Sequence, residues 1–193
     1  MSPATTEVSV FTNVCVLTLT ELAELPKVAV PRHYDGTVRL ETKLAYALLA
    51  QMLWTFTDKK YSPSDILVTS KGKPYHRTNG YFFSYAHTGN YIACVVSSSN
   101  VGLDVEQTRV IPAKLHSRIL TTQEMRLGAD PLRAWVIKEA YSKLVGEGLG
   151  LGFSRYSTSD LLEETNNVVI QDNDYTLAVF CSDQNAKIAV GQV

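Results

Sequence analysis

The stretch from residue 38 to 54 constrains the fold most: its apolar residues Leu40, Leu44, Ala47, Leu48 and Met52 recur at intervals of three and four, and no proline or glycine interrupts it. That spacing places them on one stripe of an amphipathic helix, which needs an apolar surface to cover it. The flanking segments supply one. Val8, Val10, Val14 and Val16 alternate within residues 8–19 and predict a strand with an irregularity near Thr12 and Asn13. Residues 66–69, 81–85, 91–98 and 101–106 read as short strands, parted by turns at Lys71-Gly72-Lys73-Pro74, Thr88-Gly89-Asn90 and 98–100. Residues 112–120 and 122–127 then read as two short helices, and 131–146 as a longer one that starts on Pro131 and is closed by Gly146. Strands return at 167–170, 175–181 and 187–190, so the second half repeats the order strand, helices, strands. The pattern predicts an α+β fold with two pseudo-duplicated lobes, an N-terminal one over 1–106 and a C-terminal one over 107–193, joined in one compact unit.

With 193 residues, 45% of them hydrophobic, the chain can bury a real core. Lys and Arg total 18 against 19 Asp and Glu, for a net charge of −1. No global field draws such a chain to nucleic acid or to an anionic membrane, so any phosphate site must be local. The first 25 residues contain no Lys or Arg, and Thr and Asn interrupt their apolar positions. Neither a secretion signal nor a membrane span is expected, and the chain is expected in the cytoplasm. Cys15, Cys94 and Cys181 lie far apart in apolar segments without metal-ligand spacing, which predicts buried, reduced core residues.

Two short motifs carry chemistry. In Val101-Gly102-Leu103-Asp104-Val105-Glu106 the two acids are two apart on a predicted strand, so both project from one face while Leu103 and Val105 project from the other. Like charges so placed raise each other's pKa, and a hard divalent cation relieves the repulsion. By itself the pair also suits a solvated strand end. In Trp135-Val136-Ile137-Lys138-Glu139-Ala140-Tyr141-Ser142-Lys143, Glu139 and Lys143 are one helical turn apart and share a face. By itself that is an ordinary surface ion pair.

Taken in order, Gly-x-Asp-x-Glu followed by Trp-x-x-Lys-Glu-x-x-x-Lys resembles the two-part signature of the 4′-phosphopantetheinyl transferases. Upstream, Gly72-Lys73-Pro74 and Ala86-His87-Thr88-Gly89 are similar to that family's Gly-Lys-Pro turn and Ser-His-Ser-Gly element, and Gly146-Glu147-Gly148 to its glycine-rich exit. The likeness covers roughly residues 38–155. It is closest to the long, surfactin-synthetase-activating form, in which two similar lobes, each a helix packed on a small mostly antiparallel sheet, surround one site in a monomer.

The resemblance implies transfer of the phosphopantetheine arm of coenzyme A to a serine of an acyl or peptidyl carrier protein. It implies Asp104, Glu106 and Glu139 as ligands of Mg²⁺, with Mn²⁺ able to take its place. Glu139, Lys143 and Lys138 fall at the family's catalytic positions, with Lys143 adding positive charge at the phosphates and Glu139 suited to accept the serine proton. Lys73, Pro74, His87, Thr88, Arg39 and Lys43 fall where the family holds the nucleotide end of coenzyme A. Ala86 stands where the family commonly has Ser, which removes one side-chain phosphate contact. Glu124 resembles an acidic position of many members, with its role open. Arg118 and Arg126 offer a basic face for acidic carriers. Two other readings fit the same residues: a carrier-binding scaffold without activity, and another metal-dependent phosphotransferase. The absence of a Gly-x-x-x-x-Gly-Lys-Ser/Thr loop lowers the odds of a P-loop nucleotide enzyme.

Overall fold

The computed structural model describes residues 11–34, 38–57, 59–148 and 152–191. The first half runs β1 (Phe11–Thr18), α1 (Leu19–Leu22), α2 (Leu40–Phe56), β2 (Ile66–Val68), β3 (Pro74–His76), β4 (Phe82–Thr88), β5 (Tyr91–Ser97) and β6 (Val101–Gln107). The second half runs α3 (His116–Ile119), α4 (Thr122–Arg126), α5 (Pro131–Val145), α6 (Thr158–Glu164), β7 (Asn166–Gln171), β8 (Tyr175–Cys181) and β9 (Lys187–Gly191). One sheet has the order β4-β5-β1-β9, a second β6-β8-β7, and β2 with β3 forms a separate hairpin. All pairings are antiparallel except β1 with β9.

Strand alternation sets the layers. Cys15 and Leu17 of β1, with Ile92, Cys94 and Val96 of β5, pack against Ala45, Leu48, Leu49 and Met52 of α2. Val14, Ala93 and Val95, one residue out of step, face the other way and meet Leu103, Val105, Leu177 and Val179 of the second sheet. The opposite face of that sheet, through Ala178 and Phe180, packs on Val136, Ile137, Ala140 and Leu144 of α5. The result is helix, sheet, sheet, helix, which is the expected α+β pair of helix-on-sheet units. Cys15, Cys94 and Cys181 are fully buried in these layers.

One sequence reading changes and two elements are added. The irregularity expected at Thr12 and Asn13 is absent: both stay in register with Ser97 and Val96. The polar Thr12 is tolerated at 1% exposure because its hydroxyl bonds Ser97 Oγ at 2.8 Å. The turn at 71–74 is the tip of a hairpin whose second strand, β3, opens on Pro74 and so carries no strand signal in the sequence. Helix α6 has no counterpart in the sequence reading, since it buries only Leu161. Val8 and Val10 lie outside the described residues. The lobe boundary placed after residue 106 falls inside β6, which pairs with β8 along its length, while β9 returns to pair with β1. Among the described residues no helix is long and apolar enough to cross a membrane.

Candidate functional site

The site lies where β6 meets α5. Gly102, Asp104 and Glu106 share the face of β6 turned toward α5, while Leu103 and Val105 point into the core between the sheets. Helix α5 starts on Pro131, with the Asp130 side chain accepting from Leu132 N at 2.9 Å, and stops at Gly146, whose φ of 78° is left-handed. It presses hard on β6 at Gly102, where a Cβ would sit 2.1 Å from Ala140 O and 2.3 Å from Leu144 N. This close approach lets Lys143 Nζ reach Asp104 Oδ1 at 2.7 Å.

Burial raises the Asp104 carboxyl above its ordinary range; Lys143 opposes this and Glu106 adds to it. Asp104 Oδ2 is buried and accepts no hydrogen bond. Burial, together with the charges of Asp104 and Glu106 and against that of Lys143, pushes Glu139 up to about 7. Glu106 is held by Thr88 Oγ1 at 3.0 Å and by Arg109 at 3.2 Å. Thr88, expected at the nucleotide, therefore orients one of the acids.

Glu139 and Lys143 open into a cleft of about 280 Å³ walled by Lys71, Gly72, Lys73 and Pro74 of the hairpin, Phe83, Ser84 and Tyr85 of β4, and Ser142 and Gly146 of α5. Both halves of the chain build it. Of the residues expected to hold a nucleotide, Lys73 and Pro74 line this cleft, but Lys73 Nζ is turned inward onto Asn100 Oδ1 (2.8 Å), Leu144 O (3.0 Å) and Val101 O (3.3 Å). Burial lowers its pKa to about 8. His87 is exposed near the end of β4 and Arg39 is exposed at the start of α2, both outside the cleft lining. Lys43 borders a different, apolar groove with Leu22, Leu40 and Leu44. Ala86 is packed between the sheets at 6% exposure, so no phosphate contact is missing on the cleft side.

Lys138 is a correction. It is fully buried on the side of α5 away from the cleft lining, where its Nζ donates to Glu124 Oε2 at 2.6 Å and Ile119 O at 2.7 Å. A group so enclosed holds structure and touches no substrate. Glu124, left open by the sequence, is the hub of this cluster: it closes the capping box of α4 and also accepts from Thr158 N and Oγ1, both at 2.8 Å. The Thr121-x-x-Glu124 spacing was the signal for the cap; the reach to Thr158 had none.

Among the described residues no group of three or more His, Cys, Asp or Glu side chains is assembled so that it could hold a metal ion. The chemistry of the donor set still suits a hard divalent cation: oxygen ligands only, one buried carboxylate oxygen unbonded, and a second carboxyl raised by its neighbours.

The fold and site define an α+β protein with a carboxylate and lysine cluster beside a cleft that both halves of the chain wall. Residues 100–192 match the family model of the 4′-phosphopantetheinyl transferase superfamily. The chain is 28% identical over 96 residues to 4′-phosphopantetheinyl transferase psf-1 of Bacillus pumilus, covering 45% of this chain and 41% of that protein. It is 27% identical over 84 residues to 4′-phosphopantetheinyl transferase Sfp of Bacillus subtilis strain 168, covering 39% and 38%. A further 4′-phosphopantetheinyl transferase of Bacillus subtilis is 26% identical over 137 residues, covering 64% and 60%. Each match thus spans less than two thirds of the relative's length. Over these stretches the chain is similar to the 4′-phosphopantetheinyl transferases.

Proposed function

We propose that this protein transfers the 4′-phosphopantetheine arm of coenzyme A to a serine of an acyl or peptidyl carrier protein, releasing 3′,5′-ADP, with Mg²⁺ as its cation. The observation that carries this reading is the approach of α5 to β6 at Gly102, which brings Lys143 onto the buried Asp104 while Lys143 and Glu139 line a cleft built by both halves. That one chain completes the cleft supports a monomer, and the cytoplasm is the proposed place of action.

In this reading the cleft takes the nucleotide end of coenzyme A, with Pro74, Phe83 and Tyr85 as apolar walls for the base. Asp104, Glu106 and Glu139 would hold the cation, which when bound neutralises charge on the pyrophosphate. Lys143, within reach of both Asp104 and the cleft, brings a fixed positive charge to the phosphates. The carrier serine Oγ attacks the β-phosphorus, forming the Oγ–P bond as the bond to the bridging oxygen breaks, and 3′,5′-ADP leaves with the electron pair. Glu139, open to the cleft, accepts the serine proton. Lys138 takes no part except by fixing α5.

Intact-protein mass spectrometry of apo carrier proteins incubated with the enzyme, coenzyme A and Mg²⁺ tests this. A gain of one phosphopantetheine arm, abolished by Glu139→Gln and by EDTA, is expected. Coenzyme A binding without transfer to any fatty-acid, polyketide or peptide-synthetase carrier would favour a scaffold. Cleavage of a pyrophosphate without release of 3′,5′-ADP would point to a different phosphotransferase.

A further inference from the structure

Lys73 belongs to a motif expected to border the nucleotide, yet its ammonium is committed elsewhere. Its backbone closes the β2–β3 turn, with Thr69 N donating to Lys73 O at 2.9 Å and Lys73 N donating to Thr69 Oγ1 at 3.0 Å. From there the side chain crosses to the second half of the molecule. An ammonium carries three donors, and Asn100 Oδ1, Val101 O and Leu144 O accept from it. Leu144 O lies in the last turn of α5, where carbonyls have no partner within the helix and a cation is favoured by the helix dipole. Asn100 Nδ2 donates to the same oxygen at 2.8 Å. Lys73 and Asn100 thus tie the hairpin, the β5–β6 turn and the end of α5 at one atom. The exposed Lys71–Glu147 pair spans the same gap, but a solvated pair contributes little.

We propose that Lys73 is a positioning residue that sets the distance between the hairpin and α5, and hence the width of the cleft, and that it is not a phosphate ligand. The proposal rests on the coenzyme A reading for its binding readout, while its structural half stands apart from that reading.

The test compares the wild type with Lys73→Met and Asn100→Ala. Calorimetry measures binding of coenzyme A and of 3′-dephospho-coenzyme A, and hydrogen exchange follows the amides of residues 144–147. Loss of a buried, charge-assisted contact should weaken both ligands about tenfold. Because the 3′-phosphate is not what Lys73 touches, the ratio between the two affinities should stay at the wild-type value. Exchange at the end of α5 should quicken in both variants. If Lys73→Met weakened coenzyme A but left the dephospho form unchanged, Lys73 would be a phosphate contact and the proposal would be overturned. Unchanged exchange would overturn it as well. Should the wild type bind neither ligand, the proposed function fails, and the exchange comparison still decides the clamp. Should Lys73→Met not fold, Asn100→Ala, which removes one acceptor of Lys73 and the second donor to Leu144 O while leaving the ammonium in place, carries the same comparison.

Discussion

Glu124 and Lys138 show how one residue of a signature serves structure while its neighbour faces the cleft. Lys138 is fully buried and Glu124 is 6% exposed, so breaking the pair strands a charge away from water. Lys138→Met is expected to cost about 3–5 kcal/mol in urea unfolding, and Glu124→Leu with Lys138→Met together less than the sum of the two single changes. Burial works to raise the Glu124 carboxyl, but Lys138, Thr121 and Thr158 outweigh it and hold its pKa at about 2. A folded-state value below the ordinary 4.5 means that stability is fully present above pH 4.5 and is lost as pH falls toward 2. Wild-type protein should lose on the order of 3 kcal/mol over that window, and Glu124→Gln should show a flatter profile there. A parallel acid profile for the two proteins would show that the carboxylate is not bonded as described. The sequence could mark Glu124 as a cap from Thr121, but not Lys138 as its partner, because adjacent residues on a helix point to different faces and only packing decides which face is inside.

At the scale of elements, period-two and period-four patterns made β1, α2, β5, β6, α5 and β8 legible, since each has one face in a core layer. Elements whose burial is divided or whose neighbours are distant in sequence were not legible. β3 is a three-residue strand opened by a proline, and α6 buries only Leu161. The acids of the site were readable because strand alternation alone puts Asp104 and Glu106 on one side; their meeting with α5 depends on Gly102, whose role needs three dimensions. A methyl group there would collide with Ala140 O and Leu144 N, which are backbone atoms and cannot step aside cheaply. Gly102→Ala should therefore push α5 off β6 and cost about 1–3 kcal/mol or more in stability, as overpacking does. Carrier modification should fall further than stability does, because the shift separates Glu139 and Lys143 from Asp104. Equal losses in the two measurements would mean that α5 moves without disturbing the site.

At the scale of the whole molecule, two surfaces have to cooperate. The cleft sits between the hairpin and α5, and the segment linking β6 to α5 presents a second surface. In that segment Val110 is 93% exposed, Leu127 76% and Met125 41%, and Arg118 and Arg126 are exposed as well. Apolar side chains on a basic rim suit a partner with an acidic, amphipathic helix, which is what a carrier protein offers when it presents its serine at a helix start. The same segment is tied to α5 from beneath, because Lys138 bonds both Ile119 O and Glu124. Rim charges govern encounter more than chemistry. Reversing both, with Arg118→Glu and Arg126→Glu, should raise the KM for an acidic carrier about tenfold or more at low salt, while coenzyme A binding and kcat at saturating carrier stay at wild-type values. The effect should shrink as salt is added, because the charges are solvated and screened. Leu127→Ala should instead weaken the carrier equally at low and high salt. If double reversal left carrier KM unchanged at every ionic strength, the carrier would dock elsewhere, and the exposed apolar residues of α4 would need another partner.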